Sequence, residues 1–285
     1  MPDCLIAFGS NQGDGRRTYA DIQIAFRSDP RMGDVRASRL HSTKAIGGGE
    51  PGHAKFLNGV IRVTTSLVPE DLLRWLIDLE RSFGRKPGKR WSRRAVDLDL
   101  LLYDREHGRR EVDPTHNLTI PHPRMTFRRF VLVPAAEIAA DMFHPLARMA
   151  IGQLLHHLNT APNVVAIIGE TRHLRDMTDA LKSRQHASPY SAVFPTEIVP
   201  ADYPAIGIRF AIVPIDSKER WLKTRDVIKL IVFWQVDRSA SYTAFVGPIA
   251  DEWIGPRLEL ESADMEDEVV EIEAALAAML AESVD

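Results

Sequence analysis

Cysteine is almost absent from this chain: its 285 residues include one, Cys4. No intramolecular disulfide can form, so a small secreted scaffold stapled by disulfides is excluded. A lone thiol fits a reducing compartment, and a cytoplasmic location is expected. Long apolar runs are also missing, and nothing approaches the roughly eighteen residues that mark a membrane helix. The opening MPDCLIAFGSNQGD has no basic segment ahead of its short apolar run, so it does not read as a secretory leader. The phosphate-loop pattern G-x-x-x-x-G-K-[ST] occurs nowhere, and any use of ATP must rest on other residues. Net charge is small as well, at −3, but it hides an asymmetry. Residues 1–158 hold 24 Lys and Arg against 18 Asp and Glu, while residues 159–285 hold 12 against 21. A basic half followed by an acidic half points to two units with different partners.

Apolar residues make up 45% of the chain, which suits ordinary globular packing. The segment Cys4–Phe8 is a short apolar strand closed by Gly9. A helix follows from Asp14, with Tyr19, Ile22 and Phe26 at helical spacing. VRASRLHSTKA reads as one strand and FLNGVIRVTTSL as a second, longer one. Pro69 opens a helix with a leucine-rich stripe that Gly84 ends. AVDLDLLLYD is the next strand. The resulting β-α-β-β-α-β order predicts an α+β, ferredoxin-like antiparallel sheet with helices on one face, spanning residues 1–158. MTFRRFVLVPAAEIA and AIGQLLHHLN add helical material before a break at Thr160–Pro162. Beyond it, NVVAIIGE, IGIRFAIVPI and IKLIVFWQV read as buried strands, and 264–281 as an amphipathic acidic helix. A second, smaller α/β domain is therefore expected over 162–285.

The most informative stretch is RKPGKRWSRRAVDLDLLLY. Residues two apart on a strand share a face, so Asp97 and Asp99 point one way while Leu98 and Leu100 pack the other, with α-carbons of the pair roughly 7 Å apart. A bare D-x-D could be the polar face of an exposed strand. Here it lies in an apolar strand directly after Arg81, Arg85, Lys86, Lys89, Arg90, Arg93 and Arg94. Paired carboxylates suit Mg²⁺, which keeps waters and substrate phosphates as its remaining ligands. Guanidinium groups on a loop suit a polyphosphate. The same cations could instead form a solvated or RNA-binding patch, and Trp91 could stack on a flat ring or anchor the loop.

Taken in order, FGSNQGD, FLNGVIRVTTSLVPEDLL, LERSFGR, RWSRRAVDLDLLLYD and TIPHPRMTFRRFVLVPAAEI resemble the 6-hydroxymethyl-7,8-dihydropterin pyrophosphokinases of the folate pathway, over about residues 3–158. The resemblance implies transfer of a diphosphate from ATP to the pterin hydroxymethyl group, release of AMP, and two Mg²⁺ ions held by Asp97 and Asp99. It implies that Arg85, Arg90 and Arg94 surround the phosphates. Glu80, Trp91, Thr119, His122 and Arg128 fall at ATP-site positions. Thr43, Phe56, Asn58, Trp91 and Phe130 fall at the pterin pocket, where aromatics sandwich the flat ring and an amide reads its polar edge. Three departures stand out. STKAIGGG replaces a proline-rich turn, Asn117 replaces an arginine, and the basic loop is one residue shorter than in some relatives. None removes a chemical essential.

The C-terminal half resembles, faintly, a nucleoside kinase that has lost its phosphate loop. NVVAIIGETRHLRDMTDAL supplies a strand and helix without the glycine-lysine signature. The other reading is an acidic α/β appendage that packs on the first domain or forms a homodimer. His156, His157 and His173 read as ordinary helix-surface residues. Two further functions compete with the pyrophosphokinase: a basic-loop RNA-binding module without catalysis, and a bifunctional enzyme with a second kinase activity. The first conflicts with an acidic pair on the strand where an RNA-recognition sheet carries aromatics. The second conflicts with the missing phosphate loop. The expected partners are the pterin and ATP, with no nucleic acid and no membrane.

Overall fold

In the computed structural model the described residues are 1–44, 55–84, 96–103, 111–113, 118–169, 171–184, 191–194, 203, 209–234, 240–260, 262 and 264–282. Two units emerge from the internal contacts, one built mainly from Met1–Met125 and Arg129–Gly152, the other from Gln153–Leu280 with Thr126–Arg128. The division falls between Gly152 and Gln153, inside the helix Ile151–Thr160, ahead of the break expected at Thr160–Pro162. No helix among the described residues is long and apolar enough to cross a membrane.

The first unit runs β1 (Asp3–Ser10), α1 (Gly15–Ser28), β2 (Met32–Ala37), β3 (His41–Thr43), β4 (Phe56–Thr65), α2 (Pro69–Ser82) and β5 (Asp97–Tyr103). Two small hairpins follow, β6 (Glu111–Asp113) with β7 (Leu118–Ile120) and β8 (Phe143–His144) with β9 (Met149–Ala150), on either side of α3 (Arg129–Ala139). The main sheet has the order β2-β4-β1-β5, with β3 also on β4, and every pairing is antiparallel. It is a mixed α/β unit.

Local chemistry accounts for the helix ends. The Asp14 carboxylate accepts the Arg17 N–H at 3.0 Å and caps α1. Pro69 occupies the first turn of α2, and Gly84 ends it at φ +85°, a conformation that costs glycine little. Tyr19, Ile22 and Phe26 from α1 and Leu72 and Leu76 from α2 meet Cys4, Ile6, Phe8, Ile61, Val63, Leu98 and Leu100 in one core. Both helices therefore cover the same face of the sheet. Tyr19 lies so close to β4 that a Cβ on Gly59 would sit 2.8 Å from its ring.

The strand expected over VRASRLHSTKA is two strands. Ser38 divides them, because its hydroxyl accepts the Val60 N–H at 2.9 Å and donates to the Arg39 carbonyl at 2.8 Å. A side chain thereby takes a ladder bond that backbone would otherwise make. The helix expected from Met125 begins later: Met125–Phe127 is a single 3₁₀ turn and α3 starts at Arg129.

The second unit contains α4 (Ile151–Thr160), β10 (Val164–Ile168), α5 (Thr171–Arg184), β11 (Ser191–Val193), β12 (Arg209–Ile215), α6 (Lys218–Thr224), β13 (Leu230–Trp234), α7 (Ala240–Glu252), β14 (Arg257–Leu260) and α8 (Met265–Leu280). Its sheet is parallel throughout, in the order β11-β12-β10-β13-β14. Every residue of β10 and β13 is buried, as a parallel sheet covered on both faces requires. Val164, Ala166, Ile168, Ile231 and Phe233 pack with Trp221, Val246, Ile249 and Trp253 on one side.

His156 is exposed, in line with a helix surface, while His157 and His173 are half-buried. His157 Nε2 lies 3.2 Å from the Lys229 carbonyl, and burial pushes the ring's pKa down. His173 lies against the Trp234 ring at 4.0 Å between centroids.

Candidate active site

The register of the first sheet assembles a polar row on the face away from α1 and α2. His41 pairs with Asn58, Asn58 with Gly9, and Gly9 with Asp97. Paired residues share a face, so His41, Asn58 and Asp97 project together. Gly9 has no side chain and leaves a notch between the Asn58 amide and the Asp97 carboxylate, about 10 Å across at two strand spacings. The alternation along β1, with Phe8 in the core, already puts Gly9 on the opposite face.

Asp99 follows on the same face as Asp97, opposite Ala7, and both aspartates are half-buried. Leu98 and Leu100 turn into the helix-side core as the period-two pattern predicts. The next row pairs Thr43 with Phe56. Thr43 is buried, and its hydroxyl accepts from Asn58 Nδ2 at 2.9 Å. That bond sets the amide's orientation and aims Oδ1 away from Thr43. Phe130 stands in the first turn of α3, the helix that packs against β3 and β4.

Glu80 is 2% exposed, and its Oε1 accepts the Leu98 N–H at 2.7 Å. β5 ends the order of the main sheet, so this N–H faces outward from the ladder. An unpaired buried N–H is costly, and the carboxylate satisfies it. Glu80 thus fixes the strand midway between the two aspartates. Further along the same edge the His122 N–H donates to the Leu101 carbonyl at 2.8 Å. His122 Nδ1 accepts the Arg124 N–H at 3.1 Å, so the neutral ring carries its proton on Nε2. Thr119 sits half-buried in β7, opposite Val112. Arg128 is half-buried one residue ahead of α3. The other residues expected at the phosphates and the ring, Arg85, Arg90, Trp91 and Arg94, lie outside the described residues, as do Asn117 and most of the STKAIGGG loop.

Two half-buried carboxylates and an oriented amide thus share one sheet face beside Gly9, a donor set suited to an enzyme of small polar substrates. Comparison with known proteins gives the class a family. A family model described as 7,8-dihydro-6-hydroxymethylpterin-pyrophosphokinase (HPPK) matches residues 5–140. A Bacillus subtilis protein named 2-amino-4-hydroxy-6-hydroxymethyldihydropteridine pyrophosphokinase is 40% identical over 138 residues, which are 48% of this chain and 78% of that one. An Aquifex aeolicus protein of the same name is 33% identical over 148 residues, covering 52% of this chain and 87% of that one. A Synechocystis protein, also so named, is 39% identical over 124 residues, 44% of this chain, and the match spans 60% of the relative's length. The chain belongs to the 7,8-dihydro-6-hydroxymethylpterin-pyrophosphokinase family, through its first unit.

Proposed function

We propose that the first unit transfers the terminal diphosphate of ATP to the hydroxymethyl group of 6-hydroxymethyl-7,8-dihydropterin, in folate biosynthesis. The alcohol oxygen bonds the β-phosphorus, the bond between the α- and β-phosphates breaks, and AMP leaves. The alcohol proton goes to solvent. The observation that carries this reading is the shared sheet face of Asn58, Asp97 and Asp99, with Gly9 between amide and acids. Family membership supports it, and the order β2-β4-β1-β5 with α1 and α2 on one face supports a ferredoxin-like arrangement.

Asp97 and Asp99 fit magnesium by donor chemistry, since both offer hard oxygen ligands on one half-buried face. No group of three or more His, Cys, Asp or Glu side chains is placed to hold an ion among the described residues. A cation there would take most of its ligands from water and phosphate, and two ions could share such a pair. When bound, the metal would neutralise charge on the transferring phosphates. The chain's own groups do the positioning. Thr43 orients Asn58 toward the pterin edge, and Phe56 and Phe130 would flank the ring. Glu80 holds β5 so that both acids keep their direction. Nε2–H of His122 is a donor for a phosphate oxygen. Arg85, Arg90, Arg94 and Arg128 would supply guanidinium groups to the polyphosphate, with Trp91 and Thr119 completing the nucleotide and ring contacts. Phosphoryl transfer depends mainly on such positioning and charge compensation.

The second unit is read as a degenerate nucleoside-kinase-like domain without catalysis. Its sheet places β10 centrally, and the connections from β10 and β13 leave toward opposite edges, which is where doubly wound sheets take ligands. At this point Gly169 packs against Trp234, the His173 ring covers Trp234, and the Trp234 N–H donates to Glu268. Side chains of the unit itself fill the described part of that crevice. A homodimer through this unit, a cytoplasmic location, and the absence of nucleic acid or membrane partners complete the reading.

Supplying ATP, Mg²⁺ and the hydroxymethyl dihydropterin should yield AMP in a pterin-dependent manner. Formation of ADP alone, or turnover indifferent to the pterin, would overturn the assignment. The same protein given ATP and the common nucleosides should form no nucleoside monophosphate.

A further inference from the structure

Asn58 and Phe130 are assigned to the proposed ring site from different elements, β4 and α3. Pro134 lies inside α3 and has no N–H for the carbonyl of Phe130, four residues earlier. Two polar ties join the second half of the helix to the sheet. Glu137 Oε1 meets His41 Nε2 at 2.8 Å and the Arg39 guanidinium at 3.0 Å, while Oε2 accepts the Arg39 backbone N–H at 2.9 Å. Arg62 donates to the Ile138 carbonyl at 3.2 Å and to Asp141 at 3.1 Å, and its other end is held by Asp3.

The anchoring residues belong to the same sheet face as the site. His41 is the cross-strand partner of Asn58, and Arg62 lies four residues along β4 from it. Glu137 follows Phe130 by seven residues, two turns, so both leave α3 on the same side about 10 Å apart along the axis. With Ile138 tied at Arg62 and Glu137 tied at His41, the axis runs toward the Thr43–Phe56 end of the face. Burial pushes the Glu137 carboxyl up, but the Arg39 and His41 donors outweigh burial and hold its pKa below the ordinary value.

We propose that Glu137, gripped by His41 and Arg39, is a positioning residue that sets the distance between Phe130 and the Asn58 amide and so the fit of the pterin ring. The inference rests on the pyrophosphokinase reading and adds a determinant to its ring site. A carboxylate accepting three donors is a directional tie, unlike the apolar contacts of Val131, Leu132 and Ala135 beneath the helix. Its loss lets α3 shift on that apolar surface without unfolding, and a displacement of about 1 Å can cost on the order of 10²-fold in a positioned reaction.

The test uses the full chain and steady-state AMP formation with each substrate varied in turn. Glu137→Ala and His41→Ala should each raise the KM for the pterin about tenfold, within the range such displacements produce, and leave the KM for ATP within about twofold. His41→Gln, which keeps an N–H donor, should restore much of the loss. The double alanine variant should be no worse than Glu137→Ala, because both remove one interaction. Equal rises in both KM values, additive losses in the double variant, or an unchanged pterin KM would each overturn the proposal. Inactivity of the wild-type protein would instead overturn the pyrophosphokinase reading itself.

Discussion

The two five-stranded sheets among the described residues solve the same packing problem with different geometries. In the first, antiparallel unit, one face of β1, β4 and β5 is apolar and covered by α1 and α2, and the other carries Asn58, Asp97 and Asp99. In the second unit the sheet is parallel, and β10 and β13 are buried along their whole length. Polar groups there gather at strand ends, as with Trp234 against Glu268 and Lys229 against Asn163, whose side chains meet at 2.6 Å. The antiparallel sheet combines apolar and polar groups on one face, where Leu5 and Val60 are buried and Asn58, Asp97 and Asp99 supply polar groups. A parallel sheet covered on both sides leaves only the loops at its strand ends. At one such end Gly169, the His173 ring and the Glu268 carboxylate all lie against Trp234.

The largest effect that would break this contrast is on the polar face. Asp97→Ala and Asp99→Ala should each lower turnover on the order of 10³-fold, the scale of losing a preorganised charge-stabilising group. Thermal unfolding should stay within a few degrees of wild type, since neither acid belongs to the core. Retained activity in either variant would separate the acids from catalysis.

Next in size is a core deletion in the other sheet. Phe233→Ala empties space among Trp221, Ile249 and Trp253 and should cost about 3–5 kcal/mol in denaturant unfolding. The KM values for pterin and ATP should not move in the folded fraction. A change in pterin KM would show that the units are not functionally separate.

A pH experiment sharpens the contrast further. Burial raises the Glu268 carboxyl to about 7; Asp264 adds to the shift, and the Trp234 N–H opposes it. A raised folded pKa means that stability is fully present below the unfolded value of about 4.5 and is lost as pH rises through about 7. Wild-type protein should lose at most a few kcal/mol across that window, and Glu268→Gln should remove the slope. Identical pH profiles for the two would refute the placement of this acid.

The smallest expected effect lies at the edge of β5. Glu80→Ala leaves the Leu98 N–H without its carboxylate and should cost about 1–3 kcal/mol. Glu80→Gln keeps an acceptor oxygen and should cost less. If Glu80→Gln instead lowered turnover as much as Glu80→Ala at unchanged stability, the carboxylate's charge would matter to the nucleotide rather than to the strand.

Much of the site was legible because strands impose a period of two. Asp97 and Asp99 on one side, with Leu98 and Leu100 on the other, follow from a local pattern that needs no partner strand. The ends of α2 were equally local, since Pro69 and Gly84 act through their own backbone preferences. Ser38 was not legible as a break, because its hydroxyl matters only when Val60 lies beside it. Helices α6 and α7 were also missed; α7 carries Gly247 and Pro248 near its end, which mask its periodicity.

The sequence by itself determined the motif order, the type of most strands and helices, and the alternation that puts Asp97 and Asp99 on one face. These follow from short-range pattern and composition, where each residue's own conformational and chemical preferences suffice. Only the tertiary structure decided that Gly9 lies between Asn58 and Asp97, that Glu80 holds the strand between the aspartates, and that Glu137 reaches back some hundred residues to His41 and Arg39. Those relations depend on strand register and helix packing, which arise from burial summed over the whole core and leave no trace in the spacing of any one segment.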